Sequence, residues 1–248
     1  MRGLTSASRR LIAGAGAVLV LALLALDGIG QLLGESISPW LRRQLDLTRE
    51  GNLPTAFSVA LLALAAGLAV LRARHALRQA GQGGTAAGWA VVACFFAYLA
   101  ADDALGIHEQ VATAWAHATR ARPESTLAEW MLSYPSYHWQ ILFLPLFGSM
   151  ALFLLLFLPH RLDRSGWLLF LAGMACYLLA GAMDFIEGAG PAFEAIRHLL
   201  EPALDSRQVR HLMRAYEEAV EMLGTVLICA AFAPPAGGGP DWTHRREA

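Results

Sequence analysis

Apolar stretches of about twenty residues, the length a helix needs to cross a ~30 Å hydrocarbon layer, recur along the chain between short polar breaks. The first follows Arg2, Arg9 and Arg10 and runs from Leu11 to Leu33, with Asp27 inside it. The apolar core of a cleaved signal peptide is about 7–15 residues long. This run is longer and lacks a small-x-small cleavage site, so it reads as an uncleaved span. The second span is Pro54–Leu71, closed by Arg72, Arg74 and Arg78. The third starts near Ala86 and reaches Glu109, with its helix able to continue to Thr119 before Arg122-Pro123 stops it. The fourth is His138–Leu158 and the fifth Trp167–Glu187.

After Gly188-Ala-Gly190-Pro191, Phe193, Ile196, Leu200 and Leu204 mark one face of a short helix lying in the membrane interface. The sixth span begins near Met213 and ends at Ala233, before Pro234-Pro235. The pattern predicts an all-α, polytopic membrane protein: a six-transmembrane-helix bundle in one domain over residues 1–233, with a disordered tail over 234–248.

Composition supports this reading. A chain that is 56% hydrophobic and 16% charged, with mean hydropathy +0.44, is too apolar for an ordinary soluble domain. All its basic residues are arginine, and no basic patch is interleaved with aromatics, so nucleic acid is not an expected partner. Cys94, Cys176 and Cys229 sit in apolar runs without a Cys-x-x-Cys and read as core thiols. Trp40, Trp89, Trp139 and Trp167 fit interface anchors. The arginines divide almost evenly between the two sides. Those packed against span ends favour both termini in the cytoplasm of a bacterial inner membrane.

Topology then gathers the acids. In a six-span bundle, spans one, three and five end on the side where four and six begin. Asp27, Asp102, Asp103, His108, Glu109, His138, Asp184, Glu187, His211, Glu217, Glu218 and Glu221 therefore share one half of the membrane, the outer half in this orientation. Asp102 lies roughly 21 Å from the inner end of its span and Glu221 roughly 18 Å, at 1.5 Å per residue. At about 100° per residue, His211, Arg214, Glu218 and Glu221 form one stripe. Asp103 and Glu217 face away and read as solvated or capping groups. Asp27 is expected to pair with Arg42 or Arg43.

A carboxylate in hydrocarbon costs about 2.5–3.5 kcal/mol, and Arg214 is the one arginine within the stripe. The acid excess calls for protons or a metal. Carboxylates with one or two imidazoles suit zinc, manganese or iron. The metal-ligand candidates are Asp102, His108, Glu187, Glu218, Glu221 and His138, and the catalytic candidates Glu109 and Glu221. The expected function is a metal-dependent membrane enzyme, hydrolase before oxidoreductase, acting on a lipid-like substrate within the bilayer's reach. The alternatives are a proton- or cation-coupled transporter and a non-catalytic metal-binding sensor or assembly subunit. Neither the Glu-x-x-His pairs of di-iron bundles nor His-Glu-x-x-His is present; Ala112 stands where the second histidine would be.

Overall fold

The structure is a computed structural model that describes residues 2–120, 126, 129, 131, 133–200 and 203–233. The tail expected over 234–248 lies outside the described residues. Helix α1 spans Arg2–Leu33 and passes through a 3-10 turn, Gly34–Ser36, to α2, Pro39–Leu45. Helices α3, Leu53–Leu77, and α4, Gly83–Leu105, form a hairpin, and α5 is Ile107–Arg120. Then come α6, His138–Phe157; α7, Arg164–Gly188; α8, Gly190–Leu200; and α9, Ser206–Phe232. No strand occurs among the described residues. Five segments are long and apolar enough to cross a membrane: Ala7–Ser36, Leu53–Leu77, Gly83–Leu105, His138–His160 and Arg164–Gly188.

The helix ends are set by local chemistry. Asn52 caps α3 by accepting from the Thr55 N–H at 3.1 Å. Asp205 and Gln208 form a capping box that starts α9. The third span does not run on to Glu109 as one helix. Gly106 takes up φ +59, the left-handed conformation that glycine adopts without a Cβ penalty, and its N–H returns to Asp102 O at 2.7 Å. The chain turns there and restarts as α5. The sequence reading also passed over α2, started by Ser38 and Pro39.

α3 packs along α4, and α9 packs along α7 while also touching α1 and α3. Small residues permit this. A Cβ on Gly173 would stand 2.8 Å from Gly224 O, and one on Gly224 3.0 Å from Gly173 O, so α7 and α9 cross backbone to backbone. A Cβ on Gly16 would collide with Val226, which fixes α1 against α9. Gly181 on α7, by contrast, faces open space.

The two ends of the bundle differ. Toward the C-terminal end of α9, Trp89, Phe96, Leu154, Leu158, Phe170, Ile228 and Phe232 form one packed apolar core that draws on α4, α6, α7 and α9. Trp89 is 3% exposed and packs edge-on against Phe157 and Phe232, so it is a core residue and not an interface anchor. Trp40 is 70% exposed. At this end Arg72 donates to the Phe232 and Ala233 carbonyls at 3.1 and 2.9 Å, and Arg9 donates to Asp163 at 2.6 Å. α4 makes few close approaches to α7 or α9 anywhere along its length, and at the other end the acids between these helices, Glu217, Glu218 and Glu221 among them, are partly accessible, as in a cleft.

Candidate functional site: an acid-lined cleft

The cleft is built around the Gly106 turn. Asp102 is 5% exposed, and both of its oxygens are engaged by one residue. Oδ1 accepts from the His108 backbone N–H at 2.8 Å, and Oδ2 lies 2.8 Å from His108 Nδ1. The turn brings these groups together, because residues six apart on a continuous helix would point about 120° away from each other. A carboxylate at Nδ1 fixes the proton there and leaves Nε2 as the ring's second, acceptor nitrogen. Trp139 packs edge-on against the imidazole at 5.0 Å. Burial disfavours charge on His108 most strongly. The Asp102 hydrogen bond and the charges of Asp102, Glu109 and Glu221 outweigh it, so its pKa lies above 6.5.

Across the cleft, Glu221 is within electrostatic reach of Asp102, Asp103, His108 and Asp184. Glu218 is within reach of Glu221, Asp103, Glu109 and Glu50. Carboxylates from α4, α7 and α9 thus converge, as helix parity requires. Glu217, Glu218 and Glu221 are each partly accessible although Ala215, Ala219 and Met222 between and beside them are buried. Asp103 does not face away. It hydrogen-bonds Ser58, and its Oδ2 is buried without a partner. Beneath Glu221, Tyr177 OH meets Thr225 Oγ1 at 2.7 Å, and Thr225 Oγ1 donates to the Glu221 carbonyl at 3.1 Å. This pair is the floor of the cleft, above the apolar core.

The other candidates separate from this center. Glu187, with a side chain 2% exposed, accepts from Arg214 Nε at 2.9 and 3.0 Å and from Arg210 Nη1 at 3.1 Å. It is clamped as a counter-ion, although its oxygens lie within 4.8 Å of ligand atoms of Asp184 and Glu217. Asp184 accepts from Gln140 Nε2 at 2.7 Å. His138 Nε2 lies 3.1 Å from the Met131 carbonyl and ties the start of α6 to the preceding segment. Asp27 pairs with neither Arg42 nor Arg43. It accepts the Leu47 N–H at 3.2 Å and meets His211 Nε2 at 2.8 Å. Asp27, Asp46 and His211 form the second group with ligand atoms inside 4.8 Å, and its oxygens are already hydrogen-bonded.

The sequence reading passed over Glu50. It belongs to the link between α2 and α3, and its Oε1 lies 3.4 Å from where a Gly106 Cβ would stand. Partial burial, then the charge and hydrogen bond of Glu109, push the Glu50 carboxyl above its ordinary range. The run Asp46-Leu-Thr-Arg-Glu-Gly-Asn52 carried a signal, since it is dense in polar groups and holds a Gly-Asn turn. Gln140 and Tyr177 carried none, being single polar residues inside apolar spans.

No curated protein and no solved structure matches this chain. A family model described as "Domain of unknown function (DUF8692)" matches residues 5–234, and the chain belongs to that family.

Proposed function

We propose that the chain is an integral membrane enzyme whose cleft holds a divalent metal and hydrolyses a lipid-like substrate. In this reading α9 is the sixth crossing, from about Met213. At 27 residues it is about 40 Å long, and it is flanked by α1, α3 and α7. Acids dilute its hydropathy, but they face the cleft and not the lipid. Both termini lie in the cytoplasm, the cleft opens in the outer leaflet, and α8 lies in the interface.

The observation that carries the reading is one-sidedness: acids from α4, α7 and α9 surround a cleft closed below by a packed aromatic and aliphatic core. A transport path needs polar groups through both halves, and among the described residues of the packed end the charged groups Arg72, Arg9 and Asp163 are spent as tethers around an apolar core. His108 Nε2, Glu218 and Glu221 are the metal ligands, joined by Asp103 through its unpartnered Oδ2. Asp102 orients the imidazole and holds its proton at Nδ1, a carboxylate–histidine arrangement common at metal centres. Glu187 serves Arg210 and Arg214 as counter-ion, and His138 fixes the rim. Zinc, manganese or iron suits this donor set.

The metal would lower the pKa of a bound water to about 7. Glu109 would serve as the general base toward the attacking water and would pass the proton on to the leaving oxygen. A lipid reaches the cleft sideways from the bilayer, past the loosely packed α6. The test is metal analysis of detergent-purified protein. Metal near one equivalent in the wild type, lost in His108→Ala and Glu221→Gln and kept in Glu187→Gln, is the expected result. Metal at background in the wild type ends the proposal.

A further inference from the structure

The link Asp46–Asn52 crosses the outer end of the bundle as a strap. Its base is fixed: Leu47 is 2% exposed, packs against Val20, Ala215 and Met222, and gives its N–H to Asp27. Asn52 Nδ2 donates to the Asp46 carbonyl at 2.5 Å and to the Arg43 carbonyl at 3.2 Å. Its tip carries Glu50 over Gly106 and Glu109, at the mouth of the cleft. Between base and tip, His211 stands between two buried acids. Nε2 is 2.8 Å from Asp27 Oδ2, and Nδ1 is 3.9 Å from Asp46 Oδ1 and 3.5 Å from Thr48 Oγ1.

Protonation reverses the sign of one of these contacts. The imidazolium has two N–H groups: that on Nε2 donates to Asp27, and that on Nδ1 points positive charge at Asp46 across 3.9 Å, an ion pair without a hydrogen bond. Neutral imidazole keeps one, and the shorter contact to Asp27 takes it. Nδ1 then turns a lone pair toward the Asp46 carboxylate, and Thr48 cannot relieve this because its hydroxyl already donates to Asp46 Oδ1 at 2.7 Å. The charged neighbours are few. Asp27 acts from α1, and Asp46 acts from the strap with Arg49 on its far oxygen at 2.9 Å. On the flank of α9 that meets α7, Arg210 and Arg214 are taken up by Glu187.

We propose that Asp27, His211 and Asp46 form a proton-operated latch that holds the strap, and Glu50 with it, across the mouth of the cleft. This rests on the reading of the cleft as the functional site, but the latch itself needs no metal. The strap is held while His211 is charged and is released when it loses its proton. The Asp27 hydrogen bond is the largest influence on His211, burial opposes it, and the Asp27 and Asp46 charges add to it, so the folded pKa is raised above 6.5. A raised folded value means the latch contributes fully below about pH 6.5 and is lost as pH climbs through the folded value.

The test attaches a nitroxide at Glu50→Cys in a Cys94→Ala, Cys176→Ala background, in lipid nanodiscs. Its spectrum is recorded at about pH 5.5 and about pH 8.5, on either side of the range where a raised histidine titrates. The immobilised component is expected to dominate at the lower pH and to give way at the higher. His211→Gln is expected to be mobile at both, and Asp46→Asn to show no pH dependence. An unchanged wild-type spectrum, or pH dependence that survives His211→Gln, overturns the latch. Metal analysis of the same samples keeps the two readings apart, since a pH-dependent strap on metal-free protein upholds the latch and sinks the metal site alone.

Discussion

Glu187 gives the sharpest test of how the acids divide between counter-ion and ligand. Its side chain is 2% exposed, whereas those of Arg210 and Arg214 are 46% and 45% exposed. Removing one partner of a fully buried ion pair costs about 3–5 kcal/mol. That range is an upper bound here, because solvent screens both guanidiniums. Arg210 makes a single contact at 3.1 Å, so Arg210→Met is expected to cost about 0.5–1 kcal/mol, the range of an exposed pair. Arg214 makes the fork, with Nε at 2.9 and 3.0 Å and Nη2 at 2.9 Å. Arg214→Met removes charge-assisted hydrogen bonds, each worth about 1.5–3 kcal/mol before screening, and is expected to cost about 2 kcal/mol. The double variant Arg214→Met, Glu187→Gln should be more stable than Arg214→Met alone, because no buried charge is then left with a weakened partner.

The assay is reversible unfolding in mixed micelles, with metal content measured on the same preparations. The counter-ion reading requires the order Arg214→Met above Arg210→Met, rescue in the double variant, and unchanged metal in Glu187→Gln. If Glu187→Gln strips metal as fully as Glu221→Gln, or if the two arginine variants cost the same, the division argued here is wrong.

Gly106→Ala forces a left-handed backbone on a residue with a Cβ, and should lower stability by about 1–2 kcal/mol and displace His108 from Asp102, visible as a changed imidazole nitrogen spectrum. Asp102→Asn leaves His108 without an anionic partner; its pKa is expected to fall toward 6.5 in a histidine titration, and an unchanged value would refute the hydrogen bond as its cause. Gly224→Val places a three-carbon side chain against the Gly173 carbonyl, and should cost about 1–3 kcal/mol in the same unfolding assay. If the cleft binds metal, adding it at about a hundred times its Kd should stabilise the fold by about 2.7 kcal/mol, and this gain should vanish in Glu221→Gln.

The five helices long and apolar enough to cross a membrane were legible because twenty apolar residues leave few alternatives, and four of them bracket the expected spans while the third ends at Leu105, short of Glu109. The meeting of the acids was legible too, since it follows from odd helices ending where even ones begin. What escaped was set by turns and by competition for partners. A helix continued through Gly106 puts Asp102 and Glu109 on one face; the left-handed turn instead folds His108 back onto Asp102. His211, Arg214, Glu218 and Glu221 fall on one stripe of α9, yet the stripe serves three neighbours: α1 and the strap through His211, α7 through Arg214, and the cleft through Glu218 and Glu221. Periodicity gives the side of a helix, not which neighbour takes each residue. Arginines counted as an orientation signal are partly used as tethers, Arg9 on Asp163 and Arg72 on the last carbonyls of α9.

The unequal packing of the two ends explains why so many acids are tolerated. Buried carboxylates without cations would force α4 and α9 apart, and few close approaches join those two helices along their length. The cost of that separation is lost apolar burial, and the opposite end offsets it. There Gly173 and Gly224 bring α7 and α9 into backbone contact, and Phe96, Phe170 and Phe232 fill the space between helices. A bundle packed around an apolar core at one end keeps its fold without the acids at the other attracting one another. The acids are then free to hold protons or a metal as the chemistry of the cleft demands, and substitutions among Glu218, Glu221 and Asp103 should cost far less stability than substitutions at the packed end.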